Sequence, residues 1–316
     1  MWVNFMNSGI GKLVSFRNRK DFEIIGVLFQ QNTNNATPLS VHENKKIIIH
    51  IHGSFGNFYQ NKFIWYMSTI YCEKGIDFLS INTSSHDGLA EGYYGKNLKY
   101  VGGAVSNYND SQLDIEATIE FVKSIGYNDI VLQGHSLGCD KVIEYVLNSQ
   151  SCNLDIILLS PADSYAVQSD WISPETVSNQ ISRLTQPKKK NNGKDLVWGN
   201  ANFDWLDSKE YGAHGSNEDW IYEIPITRNA LLNILTGSAF QNLNINNNPK
   251  FYADINAIAY IGKNDGLLFC TPQDFADFLN DKFKTFTPII DIYGDHDLIG
   301  VETDVINRIV KWIYGR

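Results

Sequence analysis

Residues 130–144, IVLQGHSLGCDKVIE, constrain this chain more than any other stretch. Ile130, Val131 and Leu132 form a short branched apolar run that suits a buried parallel strand. From Gly138 onward, Val142, Ile143, Tyr145 and Val146 recur at near-helical spacing, so a helix follows. Between them stand Gly134, Ser136 and Gly138, in the pattern G-x-S-x-G. A strand that turns into a helix over so few residues almost collides with it, so the flanking positions must be tiny. The residue at the apex then has a strained backbone and an exposed side chain, and the first helical N–H groups point toward it. Ser136 is therefore a candidate nucleophile, and the Leu137 N–H a candidate donor to a developing oxyanion. The bland alternative is a glycine-rich turn with an idle serine.

The segments around this turn alternate in type. LVSF (13–16) and FEIIGVLF (22–29), joined by the polar RNRKD, read as an antiparallel hairpin. After the loop QNTNNATP (31–38) come a strand in KKIIIHIHG (45–53), a helix through FIWYMSTIYCEKG and a strand in DFLSINTS (77–84). SQLDIEATIEFVKSIG (111–126) is an amphipathic helix with Gly126 at its C-terminus. Strands are expected again at 154–161, 255–262 and 288–294, with a helix in PQDFADFL and a last helix over 305–313. Alternation of this kind predicts a mostly parallel sheet covered by helices on both faces.

One stretch breaks the rhythm. About ninety residues separate the strands at 154–161 and 255–262, too many for an ordinary connection in a compact domain. They hold Trp171, Trp198, Trp205 and Trp220, and the polar breaks QPKKKNNGK and NLNINNNPK. The expected division is a core of residues 1–162 and 251–316 with an inserted, mainly helical cap at 163–250. Trp198 and Trp205 are candidates for lining a substrate cavity under that cap.

With Lys+Arg 26 against Asp+Glu 35, the net charge of −9 disfavours nucleic acid or an anionic membrane as partner. The N-terminal stretch lacks the apolar core of a secretory signal, and no later run approaches a membrane span. Cys72, Cys139, Cys152 and Cys270 show no metal-type spacing and read as reduced thiols, so a cytoplasmic location is expected. No metal site is expected.

A serine hydroxyl needs a base to take its proton, and the base needs a third group to orient it. In an open α/β sheet these groups belong in loops past the carboxyl ends of strands. Asp265 in KNDGLL and His296 in DHDLIG meet that requirement, and the order Ser136, Asp265, His296 fits this architecture. Asp163 in SPAD, after the preceding strand, is the rival acid. Asp295 and Asp297 adjoin His296 and read as loop polarity, and only His296 among the seven histidines follows the final expected strand. In HGSFG (52–56) the glycines let backbone N–H groups face an oxyanion. Ser54 is the candidate second donor through its N–H, with Phe55 as the alternate.

HGSFGNFY, GHSLG, GKNDG and GDHDLIG, in this order and on these elements, resemble the α/β-hydrolase superfamily. The resemblance covers nearly the whole chain except the cap. It implies an eight-stranded, mostly parallel sheet, a Ser136–His296–Asp265 triad, Leu137 and Ser54 as oxyanion donors, no cofactor and a small-molecule acyl substrate. HGSFGNFY, LQGHSLG and the spacing of His296, Gly300 and Glu302 are more distantly similar to the group containing fungal siderophore esterases, which implies a bulky natural-product ester or amide. The expected activity is hydrolysis of an ester, thioester or amide through an acyl-enzyme. An acyltransferase on the same residues, or a small-molecule-binding protein of this fold, is the alternative.

Overall fold

The computed structural model describes residues 9–31, 45–107, 109–149, 154–161, 196–197, 226–227, 229–230, 252–268 and 270–315. Its centre is an eight-stranded sheet in the order β1-β2-β4-β3-β7-β8-β11-β12. In chain order these are β1 (Gly9–Arg17), β2 (Glu23–Gln31), β3 (Lys46–Ile51), β4 (Ile76–Asn82), β7 (Asp129–His135), β8 (Asp155–Leu159), β11 (Tyr252–Tyr260) and β12 (Phe283–Ile289). β1 pairs antiparallel with β2, and β2 with β4; all later pairings are parallel.

Parallel strands covered on both faces should be apolar at consecutive positions, with alternate residues serving opposite cores. Ile47, Ile49 and Ile51 of β3 enter one core, with Leu132 of β7 and Ile156 and Leu158 of β8. Ile48, Val131, Ile157 and Leu159 enter the other. Register carries this across the sheet: Ile49 lies opposite Leu79 on one side and Leu132 on the other, and Leu132 lies opposite Ile156. Each such side chain contributes roughly 1.5–3 kcal/mol through burial.

Helices α1 (Lys62–Glu73) and α5 (Glu302–Gly315) cover one face, through Met67, Tyr71, Ile306, Ile309 and Ile313 among others. The opposite face is covered by α2 (Asp110–Ser124), α3 (Leu137–Asn148) and α4 (Pro272–Asn280). Gly126 ends α2 with φ 105°, where a Cβ would be strained. At the start of α4, the Thr271 side chain accepts a hydrogen bond from the Asp274 N–H and its hydroxyl donates to the Asp274 carboxylate.

One expectation needs correction. The final strand spans Phe283–Ile289, not 288–294. It is an edge strand, exposed at most positions, so it lacks the apolar signature that drew attention to PIIDIYG. Ile292 from that apolar run instead packs into the core from the loop that follows. Between β4 and α2 a separate hairpin, β5 (Ala90–Tyr94) and β6 (Asn97–Val101), also escapes the sequence reading. Its turn places Gly95 at φ 62°, but its strands carry exposed tyrosines and lysine in place of an apolar run.

The expected cap at 163–250 falls almost wholly outside the described residues, as do Asp163, Trp198 and Trp205. Two short pieces of it, β9 (Leu196–Val197) and β10 (Ile226–Thr227), pair antiparallel. The Thr227 N–H donates to the Ala104 carbonyl at 2.7 Å, joining this insertion to the loop after β6.

Candidate active site

The turn between β7 and α3 is as tight as its glycines imply. A Cβ on Gly134 would lie 2.4 Å from the Gly138 carbonyl group, and one on Gly138 would lie 2.2 Å from the Ile51 oxygen. Both contacts are with backbone, which cannot swing aside. Ser136 takes φ 53° and ψ −127°, a conformation that costs a non-glycine residue of order 1–3 kcal/mol. The turn holds it there: the Ser136 N–H donates to the Leu159 carbonyl at 3.0 Å, and its own carbonyl accepts from the Cys139 N–H at 2.8 Å. Ser136 is half-buried, and Leu137 is the first residue of α3.

The HGSFG loop after β3 packs directly on this turn. A Cβ on Gly53 would fall 2.8 Å from the Ser136 Cβ. His52 is fully buried, and its Nδ1–H donates to the Gly53 carbonyl at 2.9 Å, since a carbonyl can only accept. Its Nε2 therefore accepts, taking the Thr83 N–H at 3.2 Å and approaching Thr83 Oγ1 at 2.9 Å. Burial, with Lys141 nearby, holds the His52 pKa well below its ordinary value, so the ring is neutral. Ser54 is exposed beyond it, and Phe55 has φ 51°. Gly53, Ser54, Phe55 and Leu137 line a small cavity of about 30 Å³, together with Ser85, Gly103, Lys141 and Ala230. Ala230 comes from the inserted segment.

Asp265 and His296 meet across the loops that follow β11 and β12. His296 Nδ1 lies 3.0 Å from each Asp265 carboxylate oxygen, and both residues are buried. Asp265 Oδ1 also accepts the Leu267 N–H at 2.9 Å, which fixes the carboxylate. The loops run side by side: the Asn264 N–H donates to the Gly294 carbonyl at 3.1 Å, and a Cβ on Gly262 would meet that same oxygen at 2.4 Å. Asp295 uses its Oδ1 within its own turn, accepting the Asp297 and Ile299 N–H groups at 3.1 and 3.0 Å.

His135 joins this pair to the Ser136 turn. Its Nε2–H donates to the His296 carbonyl at 2.9 Å, and the two rings lie 5.1 Å apart. Burial and the neighbouring His296 pull its pKa down to about 4, so it is a neutral donor. Its place beside Ser136 in the chain is the one sequence signal of this bracing part. His50 is a core residue whose Nδ1 contacts the Gln133 side chain at 2.9 Å, with a pKa lowered to about 3 by burial. His86 pairs with Asp87, and His42 and His214 lie outside the described residues.

Among the described residues, no group of three or more His, Cys, Asp or Glu side chains gathers as a metal site, and no helix is long and apolar enough to cross a membrane. Cys72 and Cys139 are buried and Cys270 is exposed.

No family model matches the sequence, and no curated protein matches it. The fold, by contrast, recurs among solved α/β-hydrolase structures. Est1E from Butyrivibrio proteoclasticus, with ferulic acid bound, superposes with a TM-score of 0.61 at 15% identity over 93% of this chain and 95% of that one. A soluble variant of monoglyceride lipase from Saccharomyces cerevisiae, in complex with a substrate analogue, gives 0.58 at 13% identity over 99% and 97%. Alpha/beta hydrolase domain-containing protein 10 from mouse gives 0.61 at 12% identity over 96% and 99%. At such identities the likeness establishes an α/β-hydrolase fold.

Proposed function

We propose that this chain is a serine hydrolase that cleaves a small-molecule ester, thioester or amide through an acyl-enzyme. The observation that carries this reading is the strained Ser136 backbone at a turn braced, through His135, against the buried His296–Asp265 pair. Ser136 Oγ attacks the acyl carbonyl as its proton passes to His296 Nε2. Asp265 accepts the Nδ1–H, which fixes the tautomer and stabilises the imidazolium. The Leu137 and Ser54 N–H groups receive the oxyanion. Collapse expels the leaving group with the proton from His296, and water then repeats the sequence to release the acid. No step calls for a metal or cofactor.

Several finer features belong to the same proposal. The insertion at 163–250 acts as a cap, and Trp198 and Trp205 contribute apolar surface to the substrate. Esterases and a lipase among the structural neighbours favour an ester over an amide. The motif likeness to siderophore esterases favours a bulky natural-product acyl or alcohol part. The test is a panel of p-nitrophenyl esters graded in acyl size, with matched thioesters and amides. Ser136→Ala lowers kcat on the best of them by on the order of 10⁴ or more. Turnover undiminished in that variant defeats the reading; a single acylation without release points to a binding protein.

A further inference from the structure

Lys141 is a buried cation that the triad chemistry leaves unused. It is 1% exposed, and its Nζ donates to Ser85 Oγ at 2.9 Å. Among the described residues, no carboxylate lies within 4.0 Å of that ammonium as an ion-pair partner. It lies one helical turn after Leu137, and helical side chains lean toward the N-terminus, so it adds positive charge where the α3 dipole is already positive. Lys141 and Ser85 both line the cavity shared with Gly53, Ser54, Phe55 and Leu137. At about 30 Å³, the cavity has room for about two oxygen-sized groups.

From Ser85 a chain of hydrogen bonds leads back to the same cavity, and its two ends fix its direction. An ammonium can only donate, so Ser85 accepts from Lys141 and turns its own hydroxyl to Thr83 Oγ1, 3.0 Å away. Thr83 then donates its hydroxyl to His52 Nε2 at 2.9 Å. His52 donates its Nδ1–H to the Gly53 carbonyl at 2.9 Å. That carbonyl belongs to the peptide unit whose N–H is the Ser54 donor. Polarising a peptide oxygen strengthens its N–H as a donor, and linked hydrogen bonds reinforce one another.

We propose that Lys141 is a positioning residue for the oxyanion site, with its ammonium orienting and polarising the Ser54 N–H through Ser85, Thr83, His52 and the Gly53 carbonyl. The inference rests on the function proposed above and deepens it. The Ser85 and Thr83 hydroxyls depend on the ammonium for their common direction: a neutral amine can accept from Ser85, so less polarisation reaches His52, while the Gly53 carbonyl and the Thr83 N–H keep the His52 tautomer. Burial pulls the Lys141 pKa down to about 8, opposed by Asp114 of α2 and Asp140 of α3; His52 faces it from the β3 loop as a neutral ring. The ammonium is thus present below about pH 8 and lost above it, so kcat falls as pH rises through that value.

The test compares wild type, Lys141→Met, Thr83→Val and the double variant on p-nitrophenyl acetate from pH 6 to 10. Lys141→Met should lower kcat at pH 7 by roughly 10–100-fold with KM little changed, since the loss of one direct oxyanion donor costs ~10²–10³. It should also abolish the alkaline limb. Thr83→Val, nearly isosteric, should reproduce the loss, and the double variant should be no worse than Lys141→Met alone. A persisting alkaline limb in Lys141→Met, additive losses, or a Thr83→Val kcat equal to wild type overturns the proposal. Complete fluorophosphonate labelling of Ser136 in every variant shows an intact site. Failure of wild type to label defeats the parent reading, whereas labelled variants with unchanged kcat defeat the relay alone.

Discussion

Among the described residues, His86–Asp87 and His296–Asp265 are joined side chain to side chain by hydrogen bonds beyond the carboxyl ends of strands, and their differences set a loop brace apart from the pair proposed for catalysis. His86 and Asp87 are neighbours in sequence, 2.7 Å apart through Nδ1, with side chains 11% and 20% exposed. Asp87 is shared: its oxygens also take the Tyr59 hydroxyl at 2.7 Å and the Asn57 amide at 2.5 Å. Burial alone would raise its pKa, but hydrogen bonds from Tyr59, His86 and Asn57 hold the carboxyl below its usual range. Its backbone N–H donates to the Gly56 carbonyl at 3.0 Å, so this pair staples the HGSFG loop in place. His296 and Asp265 come from separate loops, and the Asp265 side chain is fully buried. Asp265 has an imidazole as its side-chain partner, and His296 is braced against the Ser136 turn. The first carboxylate ties several side chains into a loop; the second accepts one backbone N–H and turns both oxygens to a single ring.

The largest expected break between the pairs is kinetic. Asp265→Asn should lower kcat by on the order of 10³–10⁴ with far less change in KM, because it removes the group that fixes the imidazole tautomer. Asp163→Asn, the rival position, should cost about tenfold or less. A reversal of these two results would move the acid to the earlier strand.

Acid probes a different set of histidines, those buried and held neutral in the fold. His50, His52 and His135 have pKa values below the ordinary 6.5 when folded, at about 3 for His50 and about 4 for His135, chiefly through burial. The unfolded chain therefore takes up protons first, and stability present above about pH 6.5 is lost as pH falls toward those folded values. Asp114, raised to about 6 by burial, acts in the opposite sense over the same window. The three histidines outnumber Asp114, so the net expectation is stability lost as pH falls from about 6 toward 4, read from urea unfolding at a series of pH values. A flat profile there would mean that these rings are solvated.

Asp87→Asn should show the smallest effect. It weakens a staple, so unfolding should cost about 1–2 kcal/mol less, and kcat should fall by less than about tenfold. A kcat loss as large as that of Asp265→Asn would erase the distinction drawn between the pairs.

Legibility in the sequence followed the same divide between local and assembled features. The Ser136 turn could be read because its glycines are dictated by contacts of 2.2–2.4 Å within one short motif. Strands buried on both faces could be read from consecutive apolar residues, whereas the exposed edge strand Phe283–Ile289 and the Ala90–Val101 hairpin could not. Asp265 stands in the loop past the core strand β11, whereas His296 was placed by the apolar run PIIDIYG, most of which lies in the loop after the edge strand β12. The Lys141 relay was not legible, because its members come from α3, the β4 loop and the β3 loop, and no spacing records their meeting. His135 escaped for a related reason: its bond to the His296 carbonyl spans 161 positions.

The central claim is that Ser136 is the nucleophile served by His296 and Asp265. Fluorophosphonate treatment of the intact protein, followed by peptide mass mapping, tests it most directly. The expected result is one adduct, on Ser136, absent from Ser136→Ala and formed far more slowly in Asp265→Asn. An adduct on another residue, or labelling that persists in Ser136→Ala, would contradict it.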